Sequence, residues 1–97
     1  MVSNRSAMNL TAAHTLAIQA LAYLAGDDEV LGSFLAESGL GPDDLRERAD
    51  DPQLLAGVLD YLLANEKLLV EFCVANRTNP ELPRRARSLL PGYAEPM

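Results

Sequence analysis

The feature that most constrains this chain is a set of helix-start signals that recurs at a spacing of 38 residues, the separation of positions 27 and 65. Asp27 and Asn65 are side chains that cap helix N-termini well, and an acidic residue follows each of them. Gly41-Pro42 and Asn79-Pro80 repeat a second signal, a proline at the first helical position, where its missing N–H is no loss. Asp51-Pro52 starts another helix in the same way. These signals divide the chain into short helical segments.

The composition predicts an all-α fold. Leucine and alanine dominate, whereas tryptophan is absent and the β-branched residues that favour strands are few. The chain has 97 residues, of which 48% are hydrophobic and 23% charged, values typical of one globular domain with one core. We therefore predict a compact bundle of about six short helices. Their predicted ranges are residues 10–25, 28–38, 42–49, 52–64, 66–76 and 80–90.

Residues 16–48 and 54–86 resemble each other when they are aligned at the same offset. Eight of the 33 aligned positions are identical, and they include the only two phenylalanines of the chain, Phe34 and Phe72. A tyrosine pair, Tyr23 and Tyr61, falls in the same register. This alignment predicts an internal duplication into two pseudo-repeated three-helix units.

The duplication also predicts the domain organisation. The two units, residues 10–50 and 51–90, are expected to form a single helical domain over residues 10–92. Two repeats are too few for an extended array, so the units should pack against each other in one globule. Residues 1–9 are predicted to be a flexible N-terminus and residues 93–97 a tail.

The first predicted helix also has some features of an export signal, because an arginine precedes a mostly apolar run. However, His14 and Gln19 interrupt that run at positions that suit a helix with one polar edge. The first and fourth predicted helices have narrow polar faces, which is typical of central helices. We therefore expect both helices to form the middle of the bundle, and the first to belong to the folded domain.

Charge and composition exclude several classes of function. The formal net charge of -6 and the pI of about 4.5 oppose a broad nucleic-acid-binding surface, because such a surface needs clustered Lys and Arg. No apolar run is long enough for a transmembrane segment. A single cysteine cannot form an intramolecular disulfide, which indicates a reducing compartment, and we predict a cytoplasmic protein.

No combination of side chains predicts catalysis, a cofactor or a metal. His14 is the only histidine, and its position identifies neither a nucleophile nor an orienting carboxylate that could act with it. Cys73 shares a helical face with Leu69 and Phe72, which is typical of a small core residue. The acidic residues of 43–51 alternate with arginines and match no calcium-loop pattern, so a solvated face is expected. We predict that the protein is not an enzyme and has no catalytic, cofactor-binding or metal-binding residues.

The two predicted units differ most on the outer side of their second helices. Gly32 and Ala36 in the first unit correspond to Val70 and Val74 in the second, an apolar pair one turn apart. One interpretation, which we favour, is that the last helix and the tail "LLPGYAEPM" cover the valines. The other is that the valines contact a partner or a second copy of the chain.

The last predicted helix is basic. It contains Arg84, Arg85 and Arg87, and Arg77 lies just before it. Such a cluster can attract an acidic protein or an anionic surface. The simpler interpretation is a solvated amphipathic helix that buries Leu82, Ala86 and Leu89.

The stretches "SGLGPDDLR" and "VLDYLLANE" give the chain a likeness to a known family. Over residues 11–92 it resembles a family of small, mostly alphaproteobacterial helical proteins known as domain of unknown function 3572. The resemblance implies a bacterial, cytoplasmic protein. It implies no activity and no catalytic residue, because the family has no assigned function.

Together these observations predict a non-enzymatic protein–protein interaction module. The candidate partner contacts are Val70, Val74, Arg77, Arg84, Arg85 and Arg87. The alternative is a weak nucleic-acid or anionic-surface binder that uses the arginine-rich last helix, although nucleic acid is the less expected partner. Self-association is a further open interpretation, since the acidic middle and the basic end of the chain are complementary.

Overall fold

The computed structural model describes residues 8–91, and within them the chain forms six helices and no strand. The helices are α1 (Leu10–Ala25), α2 (Asp28–Ser38), α3 (Pro42–Glu47), α4 (Pro52–Ala64), α5 (Glu66–Asn76) and α6 (Glu81–Ser88). The predicted all-α bundle is confirmed. Four helices have the predicted bounds, whereas α3 and α6 are shorter than predicted.

Most of the predicted N-terminus and the whole of the predicted tail lie outside the described residues. Only Met8 and Asn9 of the segment 1–9 are described. Met8 packs partly buried against the core, and the Asn9 side chain caps α1 by accepting a hydrogen bond from the Ala12 N–H at 2.8 Å. These two residues are therefore part of the bundle.

The helix starts follow the predicted capping pattern. The Asp27 carboxylate accepts hydrogen bonds from the N–H groups of Glu29 and Val30, at 3.0 and 3.3 Å. The Asn65 side chain accepts one from the Leu68 N–H at 3.3 Å. These bonds satisfy N–H groups that have no partner inside the helix, which is why local sequence is enough to place α2 and α5.

Helix α6 begins at Glu81, one residue later than predicted. The Asn79 side-chain oxygen accepts a hydrogen bond from the Glu81 N–H at 2.8 Å, and Pro80, whose backbone is already helical, directly precedes the helix. Pro83 lies in the first turn, where a helical N–H has no intrahelical acceptor. The helix tolerates a proline there and continues to Ser88.

Helices α1 and α4 form the centre of the bundle, as predicted. They pack against each other and both contact α6, while α2 contacts both of them and α5 contacts α4. The two central helices provide most of the buried side chains. These are Ala13, Leu16, Ala17, Ala20 and Leu24 from α1, and Leu54, Leu55, Ala56, Val58, Leu59 and Leu62 from α4. The alanines of α1 allow its neighbours to approach closely.

Two aromatic contacts connect the predicted units. The rings of Tyr23 and Phe72 lie 5.6 Å apart at an interplanar angle of 70°, and those of Phe34 and Tyr61 lie 5.5 Å apart at 74°. Both are edge-to-face arrangements, which aromatic pairs prefer. Each contact takes one ring from each predicted unit, so the four aligned aromatic residues meet in two matching pairs. The duplication itself stays a prediction.

Candidate protein-contact surface

The outer side of α5 presents an apolar pair to solvent. Val70 is 49% exposed and Val74 is 74% exposed. The interpretation in which the last helix covers these valines is wrong, because α6 packs against α1 and α4 instead. The part of that interpretation that concerns residues 92–97 lies outside the described residues.

Two exposed cations flank this pair. Lys67 precedes Val70 by three residues, and Arg77 follows Val74 by three. Residues three and four apart are neighbours on a helix surface, so the four side chains follow one another along the outer side. We call these four residues the α5 face. Lys67 was not among the sequence predictions, although its spacing from Val70 was visible in the sequence.

Arg77 caps the C-terminal end of α5 in an unusual conformation. Its φ of 52° and ψ of 45° are left-handed, and no other non-glycine residue of 8–91 has a positive φ. The Arg77 N–H donates to the carbonyl oxygens of Cys73 and Val74, and the Thr78 N–H donates to that of Cys73. Glycine is the usual residue at such a helix end. An arginine here therefore costs some stability and places a cation beside the exposed valines.

The α5 face borders a groove between α5 and the start of α6. The apolar side chains of Leu63, Leu69, Val70 and Pro80 line it, with Cys73 at one end. Glu66, Glu81 and Arg84 line it as well and supply its charged side chains. The exposed valines thus border a depression that has both apolar and charged side chains.

The structure separates Arg87 from the other arginines of the predicted basic cluster. Arg87 is 8% exposed, and its Nε and Nη2 atoms donate to the two carboxylate oxygens of Asp60 at 2.6 and 3.2 Å. Its Nη1 atom donates to the carbonyl oxygens of Leu90 and Pro91. Arg87 therefore joins α6 to α4. Its prediction as a partner contact is corrected, because its guanidinium is buried and already bound within the chain.

The other two arginines of α6 are exposed. The Nη1 atom of Arg84 lies 3.9 Å from the Glu81 carboxylate, and both side chains are well solvated. The buried side of α6 consists of Pro83 and Ala86, and Leu90 is buried just beyond the helix end.

The predicted burial of Leu89 is wrong, since 41% of this residue is exposed. The helix ends at Ser88, and the turn that follows directs Leu90 into the core instead. Leu82, the other leucine assigned to the buried side, is partly buried against the core.

Cys73 is a core residue, as predicted. It is 4% exposed and lies next to Phe72, whose ring is fully buried. Burial raises the pKa of the Cys73 thiol, because the charged thiolate is disfavoured away from water. At neutral pH this side chain is therefore a neutral apolar group that supports α5 from inside.

The acidic residues around α3 form the solvated face that was predicted. Asp43 pairs with Arg46 at 3.4 Å and Asp51 with Arg48 at 3.1 Å, each three residues apart. Within residues 8–91, no group of three or more His, Cys, Asp or Glu side chains is arranged to hold a metal ion. In the same part of the chain, no helix has both the length and the apolar character needed to cross a bilayer.

Comparison with protein families matches nearly the whole chain. The family model described as "Protein of unknown function (DUF3572)" matches residues 11–93, which include all of α2 to α6 and α1 from its second residue. No curated protein and no solved structure matches the chain. Neither an activity nor a binding residue comes with the family match.

Proposed function

From the premise that this chain belongs to the DUF3572 family, which has no assigned function, we propose that it is a non-enzymatic protein–protein interaction module. The contact surface in this proposal is the α5 face. The observation that carries it is the exposure of Val70 and Val74, at 49% and 74%, on a helix whose inner side is fixed in the core. Leu68, Leu69 and Phe72 provide that inner anchor.

The arrangement of the valines supports binding better than their exposure alone. Single exposed apolar residues are normal on protein surfaces. Val70 and Val74, however, lie one turn apart between two cations, and recognition of one helix by another uses this i, i+4 pattern of anchors. Covering each valine with a partner would contribute about 1 kcal/mol to the free energy of binding, given how much of each is exposed.

The placement of Cys73 supports a binding role over a chemical one. This thiol is the only cysteine of the chain, and it points into the core with a raised pKa. A nucleophilic cysteine requires the opposite, an accessible thiolate with a lowered pKa. A lone buried cysteine also suits a reducing compartment, and we include in the proposal the bacterial, cytoplasmic setting that the family resemblance implies.

Affinity purification from the native cell tests the α5 face directly. The tagged chain is compared with a Val70→Asp/Val74→Asp variant, and bound proteins are quantified by mass spectrometry. The matched control is Leu10→Asp/Ile18→Asp, which alters two other apolar residues that are 54% and 45% exposed. We expect recovery of bound proteins to fall at least about tenfold for the α5 variant, as loss of two anchors predicts. Equal recovery with both variants would exclude the α5 face as a contact surface.

Binding of nucleic acid or of an anionic surface through α6 is the alternative, and the geometry supports it less well. Arg87, one of the three arginines on which it depends, is buried against Asp60. The remaining residues, Arg84 and Arg85, would give weak binding that decreases steeply with salt. Titration of single-stranded DNA or anionic vesicles at about 0.05 and 0.2 M salt tests this alternative. It requires binding that is lost in an Arg84→Ala/Arg85→Ala variant.

A further inference from the structure

We infer that the α5 face docks onto helix α2 of a second copy of this chain, so that molecules associate head to tail. This inference rests on the proposed function, because both use the α5 face, and it adds the identity of the occupant. Three observations carry it: the shape of the outer side of α2, the charges of the two helices, and the equal lengths of α2 and α5.

The outer side of α2 has space where the α5 face has side chains. Gly32 and Ala36 are both exposed and lie four residues apart, the same spacing as Val70 and Val74. A Cβ atom placed on Gly32 would meet nothing within 4 Å, so packing within the chain does not require this glycine. A glycine inside a helix lowers helix stability. Its presence is explained if another helix approaches α2 closely at this point.

One pair of helix ends carries complementary charges in one orientation. Helix α2 begins with Asp28 and Glu29, and Arg77 follows the last residue of α5, although α5 itself also carries Glu66 and Glu71. When the helices lie antiparallel, Arg77 meets the acidic start of α2 while the two valines meet Ala36 and Gly32 in turn. The same orientation brings the positive end of the α2 dipole to the negative end of the α5 dipole. Each helix has 11 residues, so the contact extends along both.

Contacts between like surfaces are less favourable. Two antiparallel α5 faces would bring Lys67 of one copy towards Arg77 of the other, and two antiparallel α2 surfaces would bring Gly32 and Ala36 together without the apolar side chains that the valines provide. Like-charge contacts of this kind act against the wrong partner. The contact is therefore between unlike surfaces, and each added molecule leaves one α2 and one α5 face available.

Sedimentation equilibrium of the purified full chain between about 10 µM and 1 mM tests the inference, since two short helices bury an interface of the weak class. We expect the weight-average mass to rise with concentration from the monomer value of 10.5 kDa. Val70→Asp/Val74→Asp should remain monomeric. Gly32→Leu/Ala36→Leu should also remain monomeric, although Gly32→Leu should raise Tm by about 3–5 °C because it replaces a helical glycine in open space.

A matched control comes from the other helical glycine in open space. A Cβ atom on Gly57 of α4 would also meet nothing within 4 Å. Gly57→Leu should therefore raise Tm in a similar way and leave association unchanged. This comparison separates the filling of the α2 surface from a general effect of replacing a helical glycine.

Mixing the two monomeric variants gives the sharpest result. The Val70→Asp/Val74→Asp chain keeps its α2 surface, and the Gly32→Leu/Ala36→Leu chain keeps its α5 face. Together they should form a 1:1 complex that does not grow further, because the second contact is blocked at both ends. Added salt should weaken this complex, since Arg77 and the acidic start of α2 contribute to it.

Each contrary outcome has a distinct meaning. If the unaltered chain is monomeric up to about 1 mM, the inference is overturned, because even a weak interface would be populated there. Loss of bound proteins on Val70→Asp/Val74→Asp in the cell would then still support the proposed function. If Val70→Asp/Val74→Asp abolishes association but Gly32→Leu/Ala36→Leu does not, the occupant is not α2 and the inference is again overturned.

Discussion

Helices α2 and α5 share a length, a type of C-terminal cap and one buried phenylalanine each. Each has 11 residues and is followed by a capping residue with left-handed backbone, Gly39 with a φ of 75° and Arg77 with a φ of 52°. Each also buries a phenylalanine against a tyrosine of a central helix, with centroid separations of 5.5 and 5.6 Å. The two helices thus hold a phenylalanine in the same way, although α5 also buries Leu68, Leu69 and Cys73, whereas Phe34 is the only buried residue of α2.

The outer sides of the same two helices differ at two corresponding positions one turn apart. Gly32 and Ala36 of α2 stand where α5 has Val70 and Val74. Because none of these four residues is buried, packing of the core does not account for the difference. The proposed contact surface therefore rests on positions at which the two helices differ without a requirement from core packing.

The largest expected effect in this comparison is that of removing each buried phenylalanine. Phe34→Ala and Phe72→Ala should each lower the free energy of unfolding by about 3–5 kcal/mol, since both rings are buried and each has an aromatic partner. Urea unfolding followed by circular dichroism measures both. If one substitution lowered the free energy of unfolding by less than half as much as the other, the two phenylalanine contacts would not be equivalent. If an alanine variant does not fold, Phe34→Leu and Phe72→Leu provide the same comparison at a smaller cost.

The ion pair between α4 and α6 should distinguish the two halves. Asp60 and Arg87 correspond to Ala22 and Ala49 in the first half, so only the second half has this link. Asp60→Ala should lower the free energy of unfolding by roughly 2–3 kcal/mol, because it leaves a buried guanidinium without its carboxylate.

The control for this prediction is an exposed ion pair in the same region. Glu81→Ala removes the well-solvated partner of Arg84 and should change the free energy of unfolding by less than about 0.5 kcal/mol. Both variants are measured by urea unfolding. Equal effects of Asp60→Ala and Glu81→Ala would mean that the Arg87 link contributes no more than a surface pair.

Much of the fold was predictable because helix boundaries depend on local chemistry. The caps at Asp27 and Asn65 bond to N–H groups two or three residues away, so the sequence contains both partners of each bond. The narrow polar faces of α1 and α4 likewise indicated their central position. The end of α6 was less predictable. Leucines at 82, 89 and 90 could each lie on a buried side by their spacing, and Leu90 rather than Leu89 is buried because the helix ends at Ser88 and a turn follows.

The candidate site was less predictable because it depends on contacts between distant segments. In the sequence, Arg87 has the same chemistry as Arg84, and its partner Asp60 is 27 residues away on another helix. Likewise, the exposure of Val70 depends on α6 packing against α1 and α4. No pattern within α5 specifies where α6 lies, so the sequence left the covered and exposed interpretations open.

The two helix ends provide a smaller test of the comparison between α2 and α5. Arg77→Gly should raise the free energy of unfolding by about 0.5–1 kcal/mol, because glycine adopts a positive φ without strain. Gly39→Ala should lower it by about 1 kcal/mol for the opposite reason. Thermal and urea unfolding check both changes. If Arg77→Gly is destabilising, the arginine side chain contributes to the fold, and its role in contact with a partner is weakened.

The smallest expected effect concerns the caps of the two central helices, which differ in charge. Asn9 caps α1 as a neutral amide, whereas Asp51 caps α4 as a carboxylate. The hydrogen bond from the Gln53 N–H holds the pKa of Asp51 below its usual value of 3.8, and Arg48 adds to this effect while desolvation opposes it. Because the pKa is lower in the folded state, the stabilising contribution is present above pH 3.8 and is lost as the pH falls through the folded value.

Exchanging the two kinds of cap should therefore change how steeply Tm falls in acid: Asp51→Asn should reduce the slope and Asn9→Asp should increase it. Asp51→Asn keeps a capping oxygen without the charge, so the decrease in Tm below about pH 4 should become shallower. Asn9→Asp should make that decrease steeper, because a carboxylate at the start of α1 gains the same interaction with its N–H groups. Thermal unfolding between about pH 2.5 and 6 measures both slopes. An unchanged slope in Asp51→Asn would show that acid destabilises the bundle elsewhere than at this cap, and that the central helices respond alike to pH.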